Sequence, residues 1–203
     1  MSNNDKYLIK KTVNISRAIK VINYYANDNV IGKSLSDGFY PDASKFKMIE
    51  ENRIKNRNLL DIGAFIGNTS LLMAELVLDE DSVVYAFEPV YFECLEKNIK
   101  DNGLDNKILA YQCGLSSVNG FVENPKTEFE SKSNYGGQSL LLLHEKNINH
   151  YLIQEPIDNS IELKRLDDFK LKNLGLVKID VEGMELEVLK GGIDTIRNSN
   201  YPP

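Results

Sequence analysis

Asn58 to Ser70 reads NLLDIGAFIGNTS, and the fold is decided there. Leu59, Leu60 and Ile62 form a short apolar run of the kind that makes a buried strand. Gly63, Ala64 and Gly67 follow as a turn of small residues. Asn68, Thr69 and Ser70 then lead into a second apolar run, Leu71 to Leu78, long enough for a helix. Strand, glycine turn and helix in that order make a nucleotide cradle. Glycines let the backbone come close to a ligand, and a helix N-terminus offers unpaired N–H groups.

The ligand depends on details around that turn. A dinucleotide fingerprint requires G-x-G-x-x-G, and Phe65 stands where its second glycine should be. An acid, Asp61, precedes the first glycine instead. D-x-G-x-x-x-G followed by a strand that ends in an acid is similar to the pattern of S-adenosylmethionine-dependent methyltransferases. That resemblance implies a turn for the methionine end and a second acid for the ribose hydroxyls. Val83 to Phe87 reads as such a strand, and Glu88 closes it 21 residues after Gly67. A ribose-binding acid follows a Rossmann turn at a spacing of about 20. A glycine turn alone is also ordinary α/β topology; Glu88 is what favours a ligand.

At 203 residues the chain suits one domain with a small appendage and can bury a substantial core. Its 42% hydrophobic and 27% charged residues are ordinary for a soluble globular protein. No apolar run approaches the roughly 18 residues of a membrane span, and the polar start is no signal peptide. Cys94 and Cys113 lack metal-type spacing, so reduced core cysteines in a cytoplasmic protein are expected, and no metal site. The net charge of −6 divides unevenly. Residues 1–57 carry a balance of +5 and residues 58–203 a balance of −11. An acidic body does not suit a nucleic-acid partner. It suits a cofactor bearing a sulfonium cation.

Val13, Ala18, Ile19, Ile22 and Tyr25 recur at roughly helical spacing, so residues 1–57 are expected to form a helical and loop segment, a cap or lid. Asp28 to Pro41 is rich in breakers, and a helix is expected from Asp42 or Ser44 to about Lys55. Pro89 holds Glu88 extended at the strand tip, and Tyr91, Cys94, Leu95, Asn98 and Ile99 form the stripe of the next helix. Lys107 to Cys113 is a third strand, and the Gly114-Leu115-Ser116-Ser117 loop after it is expected to border the adenine. Cys113 reads as a small core residue rather than a nucleophile, because nothing nearby in sequence would activate it. Residues 121–157 break the strand–helix alternation and are expected to contact substrate. Ser160 to Leu163 reads as an extended strand and Leu176 to Gly183 as a buried one, with Asp180 and Glu182 at its carboxyl end. While that strand stays extended the two acids face one side. Met184, Val188, Leu189, Ile193 and Ile196 supply the stripe of a closing helix.

Three stretches together resemble the FkbM family of methyltransferases: LLDIGAFIGNTS at 59–70, VVYAFEPV at 83–90, and LKRLDDF with VKIDVEGMELEVLKGG across 163–192. GGQSL at 136–140 and LSS at 115–117 also resemble it. The resemblance implies a class I methyltransferase fold, a Rossmann-like three-layer α/β sandwich on a mostly parallel sheet, over residues 58–203. It implies S-adenosyl-L-methionine as cofactor, S-adenosyl-L-homocysteine as product, and methyl transfer to a hydroxyl of a sugar, glycan or other small metabolite. The cofactor positions would be Asp61, Gly63, Ala64, Gly67, Ser70, Glu88, Pro89, Gly114, Leu115 and Asp180.

An alcohol nucleophile needs a base, and such help is worth roughly 10²–10⁴-fold. The candidates are Asp180, Glu182 and His144, in that order, although a lone histidine is more often a surface or packing residue. His150 lies beside the same insertion. The chain ends at Tyr201-Pro202-Pro203, where the family would continue into a fifth strand, so the sheet is expected to be shortened at its C-terminal side. An open sheet edge invites pairing with another chain, here as a homodimer. The alternative to an enzyme is a shortened, catalytically inactive binding or scaffold protein. A nicotinamide-dependent oxidoreductase is disfavoured by Phe65 and Asp61.

Overall fold

The computed structural model describes residues 5–124, 128–139, 152–153 and 155–203. Its first two strands, β1 (Leu8–Thr12) and β2 (Val21–Tyr25), form an antiparallel hairpin in which Leu8 faces Tyr25 and Thr12 faces Val21. The helix expected from the spacing of Val13 to Tyr25 is therefore not formed. The β-branched and aromatic run VINYY favours an extended strand. Four of its five residues are buried, so the alternation that distinguishes a strand from a helix is missing. Two helices follow, α1 (Ile31–Ser36) and α2 (Ala43–Asn52), the second close to where breakers and apolar spacing place it.

Next come β3 (Asn58–Ile62), α3 (Asn68–Val77), β4 (Val84–Phe87), α4 (Phe92–Asp101) and β5 (Ile108–Tyr111). The short strands β6 (Gly114–Leu115), β7 (Gly120–Glu123) and β8 (Ser160–Lys164) form a small mixed sheet in the order β6-β8-β7. The chain then returns through a 3-10 turn at Leu166–Phe169 to β9 (Leu174–Ile179), α5 (Glu185–Gly191) and α6 (Ile193–Asn198). The main sheet is parallel throughout, in the order β5-β4-β3-β9. Leu59, Val84 and Ala86 point to one face, packing with α3, α4 and the N-terminal hairpin. Leu60, Ile62 and Phe87 point to the other, with Leu166 and Val188. Helices on both faces of a parallel sheet give the Rossmann-like three-layer arrangement expected from the sequence.

Two expectations about the C-terminal part are corrected. β9 ends at Ile179, three residues before Glu182, which adopts a left-handed φ of 50° before Gly183 at 104°. Asp180 and Glu182 are thus brought together by a turn, not by the two-residue period of a strand. The closing helix is also not continuous. It breaks at Gly191 and Gly192, where a Cβ on Gly191 would lie 1.9 Å from the carbonyl oxygen of Ser116. Met184 and Val188 are buried, Leu189 in α5 is 42% exposed, and past the break the stripe does not continue inward: Ile193 is 50% exposed.

The outer edge of β9 is less open than the sequence suggests. The Leu174 and Val177 N–H groups donate to Ser199 Oγ and Pro203 O, and the Gly175 carbonyl accepts from Ile54 N–H.

The hairpin is bolted to α4 through polar groups. Asn98 Oδ1 accepts from the Asn23 N–H at 2.6 Å and from Asn23 Nδ2 at 2.9 Å. Its Nδ2 donates to Asn23 O and to Ile66 O, in the loop that leads into α3. One buried amide thus holds the N-terminal hairpin, α4 and the glycine turn in register. Replacing Asn98 by Leu strands these groups, and each buried orphan costs about 1–3 kcal/mol. Denaturant unfolding of Asn98→Leu is expected to show a loss of at least that size; a loss under about 0.5 kcal/mol would mean that Asn98 is not what holds the hairpin, leaving that to apolar contact and to the bonds of Asn102 with Lys20 and Val21.

Candidate functional site

The carboxyl ends of β3, β4, β5 and β9 open into one cleft. Its floor is the turn after β3, where Gly63 has a φ of 77° and Gly67 one of 89°. A Cβ on Gly63 would lie 1.9 Å from Asp180 O, because Asp180 N–H donates to Ile62 O and pulls the chain after β9 across the turn. Only glycine allows that approach. The Gly63 and Ala64 N–H groups both donate to Phe87 O, so β4 also pins the turn.

Glu88 closes the clasp. Its Oε2 accepts the Phe65 N–H at 2.8 Å, and its Oε1 accepts Val90 N–H and Tyr91 N–H at 2.7 and 2.9 Å. The carboxylate therefore joins the glycine turn to the start of α4 while lining the cleft. Burial pushes its carboxyl up from the ordinary range, against the pull of the three N–H donors. Phe65 takes a left-handed φ of 53°, which costs about 1–2 kcal/mol for a residue with a Cβ. Its N–H bond to Glu88 and its edge-on packing against Tyr91, centroids 4.8 Å apart, offset that cost.

Behind the floor lies a buried ion pair. Asp61 on β3 faces Lys178 on β9 directly across the parallel ladder. Lys178 Nζ stands 3.0 Å from Asp61 Oδ1, donates to Gly63 O at 2.7 Å and lies 3.9 Å from Asp180 Oδ2. The other oxygen of Asp61 accepts from Ser70 Oγ at 2.6 Å. Lys178 thereby ties the strand acid, the turn carbonyl and the acid after β9 into one polar cluster.

Of the residues picked out from the sequence, Gly63, Glu88, Pro89, Gly114, Leu115, Asp180 and Glu182 line the cleft. Asp61 and Ser70 are fully buried behind it, and Gly67 sits at the start of α3 with Leu95 against it. Ala64 faces a second cleft on the far side of the turn. His144 and His150 lie outside the described residues. The sequence reading did not single out Tyr91, Tyr135 and Gln138 as site residues, nor Lys178. Tyr91 and Tyr135 stack with centroids 6.2 Å apart, and Tyr91 donates through its hydroxyl to Gln138 Oε1. Tyr135, Gly136 and Gln138 bring part of the 121–157 insertion to the cleft wall. The signal for Lys178 was visible: a lone cation inside the apolar run LGLVKI needs a buried acid, and Asp61 is the acid on the neighbouring strand.

Cys113 also lines the cleft, beside Gly114 and Leu115. Burial pushes its thiol up to about 11, so at neutral pH it is protonated and a poor nucleophile. Both cysteines are free and buried.

Comparison with known proteins bears on this geometry. A model of the methyltransferase FkbM domain matches residues 61–201, which span the glycine turn, Glu88 and the Asp180–Glu182 turn. The chain belongs to the FkbM methyltransferase family. A methyltransferase of Sordaria araneosa, sdnD, is 33% identical over 168 residues, with 69% of this chain and 62% of that protein covered. Methyltransferase 1 of Beauveria bassiana is 30% identical over 150 residues, covering 66% of this chain and 57% of the relative. The chain thus spans less than two thirds of the length of these two relatives. A crystal structure of methyltransferase FkbM from Methylobacillus flagellatus aligns over 72% of this chain and 31% of its own, at 20% identity and a TM-score of 0.45.

Two outcomes follow for this FkbM-family chain. Lys178→Met leaves Asp61 charged and unpaired in the core, a change that costs about 3–5 kcal/mol. The double variant Lys178→Met, Asp61→Asn is expected to recover part of that in urea unfolding; strict additivity of the two single variants would dissolve the pair. In the native protein Cys113 is expected to react with a disulfide reagent far more slowly than in the unfolded chain. A rate equal to that of the unfolded chain would mean that Cys113 is not shielded as the structure has it.

Proposed function

We propose that this chain is an S-adenosylmethionine-dependent O-methyltransferase acting on a hydroxyl of a sugar, glycan or other small metabolite. What carries the reading is the convergence of the Gly63 turn, Glu88, Gly114-Leu115 and the Asp180–Glu182 turn on one cleft at the carboxyl edge of a parallel sheet. The family membership and the two fungal relatives named methyltransferases support methyl transfer.

The residues present fit an adenosyl cofactor. Leu115 and Cys113 offer an apolar wall for a base. A carboxylate accepts about four hydrogen bonds, and Glu88 accepts three from backbone N–H groups, which leaves room for a ribose hydroxyl. Gly63 and Asp180, after β3 and β9, stand at the end away from Leu115, which lies in strand β6 and not in the loop expected there, and they suit the amino-acid portion. Bound S-adenosylmethionine would supply a methyl group made electrophilic by its sulfonium. The chain's own share is to hold donor and acceptor, keep water away and take the hydroxyl proton. Asp180 and Glu182 are exposed carboxylates at the cleft mouth and are the proposed bases, Asp180 first. The free buried thiols suit the reducing cytoplasm as the place of work.

Calorimetric titration with S-adenosylmethionine and S-adenosylhomocysteine, with NAD as control, tests the cofactor. One-to-one binding in the micromolar range, about −8 kcal/mol, is expected for the first two and none for NAD. Glu88→Ala should weaken it at least tenfold, with its melting temperature measured alongside to separate lost binding from lost folding. A well-folded protein that binds neither adenosyl ligand is a scaffold, and the enzyme reading falls.

A further inference from the structure

A second cleft lies across the glycine turn from the first. Asp42, Lys45, Asn68, Thr69 and Asn134 line it, and it shares Gly63, Phe65, Gly136, Asp180 and Glu182 with the donor cleft. We propose that this second cleft is the acceptor site, and that the Asp42–Lys45 pair of the N-terminal segment selects uncharged, hydroxyl-rich acceptors there. The inference rests on the donor cleft proposed above.

The geometric reason is general. Displacement at a carbon needs the nucleophile opposite the leaving group, so acceptor and donor occupy separate spaces that share a wall. The second cleft meets that condition through five common residues, among them both candidate bases. Two further clefts do not: one beside β7 and β8, lined by Lys164, and one between β1 and α1, lined by Lys11, have no residue in common with the donor cleft.

The chemical reason lies in Asp42. It occupies the N-cap position of α2, where an Asp would ordinarily accept from its own helix, yet it makes no such bond and adopts a left-handed φ of 60°. Its Oδ2 instead accepts from Asn68 Nδ2 and from Thr69 Oγ1, in the first turn of α3, and its Oδ1 faces Lys45 Nζ at 2.8 Å. Phe65 and Glu182 on the same cleft are also left-handed. Such backbone costs of order 1–3 kcal/mol each and persists where the surroundings impose it, commonly at ligand sites. Among the described residues the walls carry three carboxylates, Asp42, Asp180 and Glu182, against two ammonium groups, Lys45 and Lys178. Carboxylates accept from hydroxyls and repel anions. A neutral polyol therefore fits, and a uronate or sugar phosphate does not.

Saturation-transfer NMR on protein saturated with S-adenosylhomocysteine tests this, using methyl glycosides of glucose, galactose, mannose, fucose and rhamnose, with glucuronate beside them. At least one glycoside is expected to receive saturation and glucuronate none. Lys45→Ala, at a half-exposed position, should cut the glycoside signal at least fivefold and change the affinity for S-adenosylhomocysteine less than twofold. Lys164→Ala, in the cleft beside β7 and β8, should leave both unchanged. Tight S-adenosylhomocysteine binding without transfer to any glycoside, or transfer abolished by Lys164→Ala and not by Lys45→Ala, would overturn the acceptor site and leave the donor cleft standing. Preference for glucuronate would overturn the charge selection. Absence of S-adenosylhomocysteine binding would instead remove the donor reading on which this one rests.

Discussion

The contact between Asp61 and Lys178 is the constraint on which the site depends. A charged pair between neighbouring strands of a parallel sheet, here β3 and the edge strand β9, is costly to bury, since each ion gives up several kcal/mol of hydration. It persists here because its remaining hydrogen-bonding capacity is spent on the turn: Ser70 takes one oxygen of Asp61, and Gly63 O takes the lysine. The same pair sets β3 and β9 in register, and that register brings Asp180 over Gly63 at a distance no side chain would tolerate. Stability and site geometry are therefore one problem in this region.

A second clasp works at right angles to the first. Glu88 reaches from β4 to the N–H of Phe65 on one side and to the start of α4 on the other. Asn98 then carries the connection from α4 to the N-terminal hairpin. The glycine turn is thus held from β9, β4 and α4 together. A turn held on three sides keeps its shape without a ligand, which is the kind of preorganisation that binding and catalysis reward.

The N-terminal segment is more than a cover. Its hairpin packs on α4, while Tyr40 donates to Asn68 O and Asp42 receives the side chains of Asn68 and Thr69. The basic balance of residues 1–57 is largely spent in pairs with acids of the rest of the chain, Lys10 with Asp101, Arg17 with Glu75 and Asp79, and Arg53 with Glu80. Arg53 also holds the Glu80 carboxyl below its usual range, at the opposite end of the sheet from the cleft.

Much of the cleft at the carboxyl edge of the sheet was legible in the residues alone. A strand, a glycine turn and a strand-end acid are local patterns, and the parallel α/β layering follows from alternating apolar runs. Glu88, Gly114, Leu115 and Asp180 could be assigned to one cleft because every strand of such a sheet delivers its carboxyl end to the same edge. The hairpin at residues 8–25 was not legible, since its second strand is buried on both faces and loses the two-residue rhythm. Nor were the turn at Glu182, the break at Gly191 and the aromatic wall of Tyr91 and Tyr135. Each is set by contacts between segments far apart in the chain: Asp180 with Gly63, Gly191 with Ser116, Tyr135 with Tyr91. Local sequence determines which backbone shapes are cheap. Only packing decides where an expensive one is imposed, and in this protein the left-handed Asp42, Phe65 and Glu182 are imposed around the clefts.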